Sequence, residues 1–175
     1  CRSCGNSLTV SFADLGMSPI ANAFVPAARA NALEAYFPLH AFVCEKCWLV
    51  QVEEFESPAA IFNESYPYFS SFSDSWLKHV RNYSEMISTR LKLGPTSQVV
   101  EIGSNDGYLL QYFKNAGIQA LGFEPCANVA AIAEKRGIPT LVKFFGTRSA
   151  RELVESKGQV DLIAIKNVLA HVHDI

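Results

Sequence analysis

One stretch constrains this chain most. A short apolar strand over 98–102 runs into Gly103, and after Ser104-Asn105-Asp106-Gly107 a helix is predicted over 108–115, closed by Gly117. The same beat then repeats. A strand is predicted over 120–123, a helix over 128–136 ending at Gly137, a strand over 140–142, a helix over 149–156 ending at Gly158, and a strand over 160–165. Short strands alternating with helices lead back to the same end of a sheet each time. The fold class is therefore α/β, with parallel strands and right-handed crossovers.

The loop Glu101-Ile102-Gly103-Ser104-Asn105-Asp106-Gly107 has the form of a Rossmann-type first turn. Gly103 lets the backbone turn tightly and approach a ligand, and Gly107 keeps the helix start uncluttered. In a dinucleotide enzyme the helix start receives a pyrophosphate. Here Glu101 ends the strand and Asp106 precedes the helix. Two carboxylates repel a pyrophosphate and suit a phosphate-free ligand with a cationic ammonium and sulfonium, which describes S-adenosylmethionine (SAM). The incomplete Gly-x-Gly-x-x-Gly pattern likewise counts against an NAD-dependent sugar enzyme. Glu124, at the end of the second strand and about 20 residues past the turn, stands where a carboxylate takes both hydroxyl protons of a ribose. The plainer alternatives are a helix N-cap for Asp106 and a solvated loop residue for Glu124.

The N-terminal third has another chemistry. Cys1-x-x-Cys4 and Cys44-x-x-Cys47 are two identical hooks, and short strands over 37–42 and 48–53 put the second hook at the turn between them. Two such hooks close a tetrahedral shell of four thiolates, which favours a structural zinc with no open position. Four reduced cysteines, or one redox pair, are the alternatives. Cys126, the fifth, reads as a small residue beside a helix start. We divide the chain into a zinc-ribbon-like domain over 1–56, a connecting segment and helix over 57–95, and a SAM-binding Rossmann-like domain over 96–175. Within the connecting segment the apolar residues Trp76, Val80, Tyr83, Met86, Ile87 and Leu91 fall at helical spacing, with Asp74 as the expected N-cap and Gly94-Pro95 as the stop.

Composition narrows the function. With 49% apolar residues and a net charge of -2, the chain can bury a core and lacks a nucleic-acid footprint. No apolar run reaches bilayer length and no signal peptide opens the chain. The expectation is a cytoplasmic protein without nucleic-acid or membrane partners. Both ends look cut, Ile175 falling within the α/β pattern. Such a cut leaves an interior strand as an edge, so self-association through that edge is expected.

Taken together, the N-terminal Cys-x-x-Cys, Tyr66-Pro67-Tyr68-Phe69-Ser70-Ser71-Phe72-Ser73, the 101–107 loop, Gly122-Phe123-Glu124-Pro125 with Asn128-Val129-Ala130, and Asn167-Val168-Leu169-Ala170-His171-Val172 resemble the zinc-containing, SAM-dependent sugar C-methyltransferases. The resemblance covers essentially the whole chain. It implies a zinc domain before a class I methyltransferase sheet, here truncated, and methylation of C3 of a nucleotide-linked 4-keto deoxysugar through an enolate. By motif match, Glu101, Gly103, Asn105 and Asp106 would line the methionine side of SAM. Glu124 would hold the ribose with Pro125 beside it, and Phe144 or Phe145 would border the adenine. Asn167 and His171 would face the sulfonium and the sugar, and Tyr66 or Tyr68 would reach the active site. His171, just past the fourth strand, is the candidate general base, with a loop histidine as the plain alternative and His173 as a decoy. For Tyr66 and Tyr68 the plain alternative is aromatic packing. The family carries a Tyr-x-Glu-His segment in a further C-terminal half, which this chain does not reach. A non-catalytic zinc- and SAM-binding piece that needs that half is the competing reading.

Overall fold

The structure, a computed structural model, describes residues 1–172. It comprises two compact units: residues 1–61 with His171 and Val172, and residues 62–170.

The first unit is built on three antiparallel strands in the order β1 (Val10–Ser18), β2 (Phe37–Val43), β3 (Val50–Val52), followed by one short helix, α1 (Pro58–Ile61). Strands β2 and β3 are the two expected from alternation. Strand β1 is an addition. Its pairing with β2 slips between Ser11 and Ala13 and again between Asp14 and Met17, and such bulges break the two-residue period by which a strand is recognised. Strand β3 starts later than expected because Trp48 takes a left-handed φ of 65°. Its N–H bonds the Cys44 carbonyl at 2.8 Å, and Leu49 O accepts from Cys44 N at 3.0 Å. Among the described residues of this unit, Cys44 alone is fully buried. The unit therefore has almost no hydrophobic core and depends on its cysteines for cohesion.

The second unit opens with helix α2 (Asp74–Leu91). There follow β4 (Gln98–Ile102), α3 (Leu110–Asn115), β5 (Gln119–Phe123), α4 (Ala127–Lys135), β6 (Thr140–Leu141), α5 (Thr147–Lys157) and β7 (Leu162–Ile165). The four strands are all parallel, in the order β6-β5-β4-β7. This is the α/β, Rossmann-like arrangement the sequence called for. The chain builds outward from β4 on one side, then returns to add β7 on the other. The topological switch point, where such folds bind ligands, lies at the C-terminal ends of β4 and β7.

Neighbouring residues of β4 explain the layering. Val99 belongs to the cluster with Val80, Leu110, Phe113, Ala133 and Ile138, whereas Val100 packs with Phe123 and Leu153. Successive side chains point to opposite faces, and helices cover both. Helix α2 is capped by Ser73, whose hydroxyl accepts from Trp76 N at 3.3 Å. Asp74, the expected cap, is instead the first residue of the helix. No helix among the described residues is long and apolar enough to cross a membrane.

Candidate cofactor and metal sites

Strand β4 delivers a fully buried Glu101 and a buried Ile102 to the mouth of the sheet. Gly103 follows with φ of 66°, and a Cβ there would collide with the Val168 side chain. Its glycine requirement thus comes from the close approach of the loops after β4 and β7, as well as from the turn. Gly103 N and Ser104 N both donate to Phe123 O, at 2.8 and 3.1 Å, which folds the loop across to β5. Asn105 takes a left-handed φ of 49°, a conformation asparagine tolerates better than most residues.

Three acidic side chains are buried around this loop, each in a different state. Glu101 is 0% exposed, and neither of its oxygens has a hydrogen-bond partner of good geometry. Burial drives its pKa well above the ordinary carboxylate range, opposed by the Tyr108 hydroxyl and the Lys166 ammonium. Asp106 is 1% exposed. Its Oδ2 accepts from Ser71 Oγ and lies 3.4 Å from Arg136 Nη1, while Oδ1 is buried without a partner. Glu124 accepts from Asn105 N at 2.9 Å through one oxygen and from Cys126 N at 2.8 Å through the other. It is neither a solvated loop residue nor a free carboxylate. It clamps the loop after β4 to the start of α4, and each oxygen retains a lone pair for a ligand hydroxyl.

The orphaned atoms decide what this mouth accepts. Asp106 Oδ1 lacks a donor, and the buried Glu101 oxygens have no well-formed hydrogen bond, with only the Tyr108 hydroxyl near enough to favour their charge; an under-satisfied buried acceptor is costly. A ligand bearing an ammonium group satisfies them, and a pyrophosphate does not. The residues therefore fit a cationic, phosphate-free group such as SAM, which Glu101 and Asp106 would hold by its charge and Glu124 by its ribose hydroxyls.

The other expected site residues are distributed as follows. Phe145 packs edge-on against Phe123 at 5.0 Å, and Phe144 stands 45% exposed before α5. Pro125 is half-buried before α4, and Asn167 is exposed with a φ of 55° just after β7. Tyr66 and Tyr68 meet the loop region through their backbones. Asn128 Nδ2 donates to Tyr66 O at 2.8 Å, and Asn105 Nδ2 donates to Tyr68 O at 3.1 Å. The Tyr66 ring lies 5.4 Å from Phe62, and Tyr68 is half exposed. His171 closes a 3-10 turn (Leu169–His171) and groups with the first unit. His173 lies outside the described residues.

Two contributors carried no signal in the sequence. Lys166, at the end of β7, rests 4.1 Å from the Tyr83 ring centroid and 5.7 Å from that of Trp76. Arg136, just beyond α4, braces Asp106 and Ser71. Both are single basic residues whose partners lie far away in the chain.

In the first unit the sulfurs of Cys1, Cys4, Cys44 and Cys47 all lie within 4.8 Å of one another. Cys1 and Cys47 are 3.6 Å apart at sulfur, as are Cys4 and Cys44. A zinc tetrahedron with bonds near 2.3 Å has S···S edges of about 3.8 Å, far longer than a disulfide. The N–H groups of Cys47 and Lys46 point at the Cys44 thiol and, against burial, lower its pKa to about 7, which favours the ligating thiolate. Gln51 supports the cluster, its Nε2 3.2 Å from Cys1 Sγ and its Oε1 accepting from Arg2 N at 3.0 Å. The four cysteines fit one zinc ion.

Comparison with known proteins assigns each unit to a domain family. Residues 1–62 match a family described as "Putative zinc binding domain", and residues 76–175 match one described as "Methyltransferase domain". The C-methyltransferase NovU of Streptomyces niveus is 30% identical over all 175 residues. The chain spans 41% of that protein's length. Among solved structures, YjhP from E. coli aligns over 60% of this chain and 34% of its own, at 16% identity and a TM-score of 0.30. The chain belongs to the methyltransferase domain family, with a four-cysteine zinc-binding domain ahead of its Rossmann-like sheet.

Proposed function

We propose that the protein is a SAM-dependent C-methyltransferase acting on a nucleotide-linked keto-deoxysugar. The observation that carries the cofactor part is the set of buried, under-satisfied carboxylate oxygens on Glu101 and Asp106 at the switch point of the sheet. The C-methyl part is supported by the alignment of all 175 residues with part of a C-methyltransferase. When bound, SAM supplies an electrophilic methyl group on a sulfonium. The chain's own task is to seat that cation, keep water away and hold a carbon acid in register. A ketone acidifies the neighbouring C–H, and the enolate left by proton removal is a carbon nucleophile. His171 is our candidate for the base, with Tyr66 and Tyr68 as further candidates.

Incubating the protein with methyl-labelled SAM and a TDP-linked 4-keto deoxysugar tests the reading. Label on the carbon beside the ketone is expected. Label on oxygen or nitrogen, or none with any keto sugar while SAM binds, contradicts it. Loss of activity in His171→Ala with SAM affinity retained is expected, and unchanged turnover removes His171 from the chemistry. A second reading, a zinc- and SAM-binding piece that needs further chain for catalysis, is favoured by the 41% coverage of NovU. It predicts SAM binding without turnover.

A further inference from the structure

The segment Tyr66–Phe72 is fastened to the acidic loop at several points. Asn128 holds the Tyr66 carbonyl, and Asn105 holds the Tyr68 carbonyl with its amide nitrogen and the Ser70 N–H with its amide oxygen, the last at 2.8 Å. The final tie is a closed triangle. Ser71 Oγ donates to Asp106 Oδ2, Arg136 Nη2 donates to Ser71 Oγ at 3.0 Å, and Arg136 Nη1 donates to the Asp106 carbonyl at 2.8 Å. Arg136 thus holds one oxygen of Asp106 and its backbone in place, while Oδ1 remains buried and unmet. Lys114 Nζ in turn holds the Arg136 carbonyl at 2.6 Å.

Building on the SAM reading, we propose that Arg136 is a positioning residue. Through Ser71 and Asp106 it couples the order of the Tyr66–Phe72 segment to the ligand in the acidic loop. The physics is local. An ammonium bound at Oδ1 fixes the orientation of the carboxylate, and a fixed carboxylate holds the Ser71 hydrogen bond and the Arg136 ion pair in line. Coupling of this kind is reciprocal, so a ligand that orders the segment binds more tightly when the segment is already ordered. The segment carries two exposed rings, Tyr68 and Phe72, which such coupling would present to a second substrate only once the cofactor is in place.

The test combines hydrogen exchange with titration by S-adenosylhomocysteine (SAH) on the wild type, Arg136→Met, Arg136→Lys and Ser71→Ala. In the wild type, SAH should slow exchange at the Ser70 amide. Arg136→Met should exchange faster there without ligand and bind SAH about tenfold more weakly, and Arg136→Lys should recover part of both. Wild-type affinity in Arg136→Met, or exchange at Ser70 indifferent to bound SAH, overturns the proposal. Should Arg136→Met fail to fold, Ser71→Ala breaks the same triangle from its far corner and is held to the same two outcomes. A wild type that does not bind SAH sinks the SAM reading instead. The ligand-free comparison then still judges the tie, since equal exchange in Arg136→Met and wild type overturns it.

Discussion

Glu101 carries the strongest tension in the molecule. A fully buried carboxylate with no well-formed hydrogen bond prefers to be protonated, and burial raises its pKa, opposed by the Tyr108 hydroxyl. The sign of the linkage follows. A raised native pKa means that the contribution to stability is present below the unfolded value of about 4.3 and is lost as pH rises through the native value. Glu101→Gln should therefore gain stability relative to wild type as pH rises, by on the order of 1–3 kcal/mol, and should bind SAM about tenfold more weakly. Urea denaturation at pH 5 and pH 8 with a SAM titration checks both. A stability gap that shrinks with pH, or intact affinity, contradicts the role assigned to Glu101. The placement of Glu101 and Asp106 was legible because it lies in local order, a carboxylate at a strand end and another before a helix. The bonds from Asn105 and Cys126 to Glu124 were not legible, because they depend on how two loops meet. Arg136 was invisible for the same reason: its partners are 30 and 65 positions away.

Elements were legible wherever periodicity was clean. The strands and helices of the second unit lie close to the positions expected, since the strands are short and apolar and α3, α4 and α5 are closed by Gly117, Gly137 and Gly158. Strand β1 was lost to its two bulges. The cap of α2 was misplaced by one residue, because both Ser73 and Asp74 are good caps and only the hydrogen bond to Trp76 N distinguishes them. Ser73→Ala should lower stability by about 1 kcal/mol and exceed the effect of Asp74→Ala, as measured by chemical denaturation. A larger effect from Asp74→Ala would contradict the cap. Strand β7 makes a further prediction. Among the described residues it pairs only with β4, and its Ile163 and Ile165 stay 47% and 46% exposed. Such an edge invites pairing, so a chain of these 175 residues should associate in light scattering, and Ile163→Lys should reduce that association. A clean monomer before substitution contradicts it.

At the scale of the whole molecule, two units rest on different sources of stability. The second has a hydrophobic core on both faces of its sheet, whereas the first has four clustered sulfurs and hardly any core. Paired Cys-x-x-Cys hooks made that division readable from sequence, because ligand spacing encodes a tetrahedral site directly. Chelation should release about one zinc per chain and melt the first unit while strand and helix signals of the second persist. Protein carefully purified without any bound metal, yet fully folded, contradicts the site. The central claim concerns the acidic loop, and ligand-dependent thermal unfolding tests it most directly. SAM or SAH at about 100 times its dissociation constant should stabilise the protein by about 2.7 kcal/mol, with NADH giving no shift. Stabilisation by NADH, or none by SAM and SAH in a folded sample, would contradict the account.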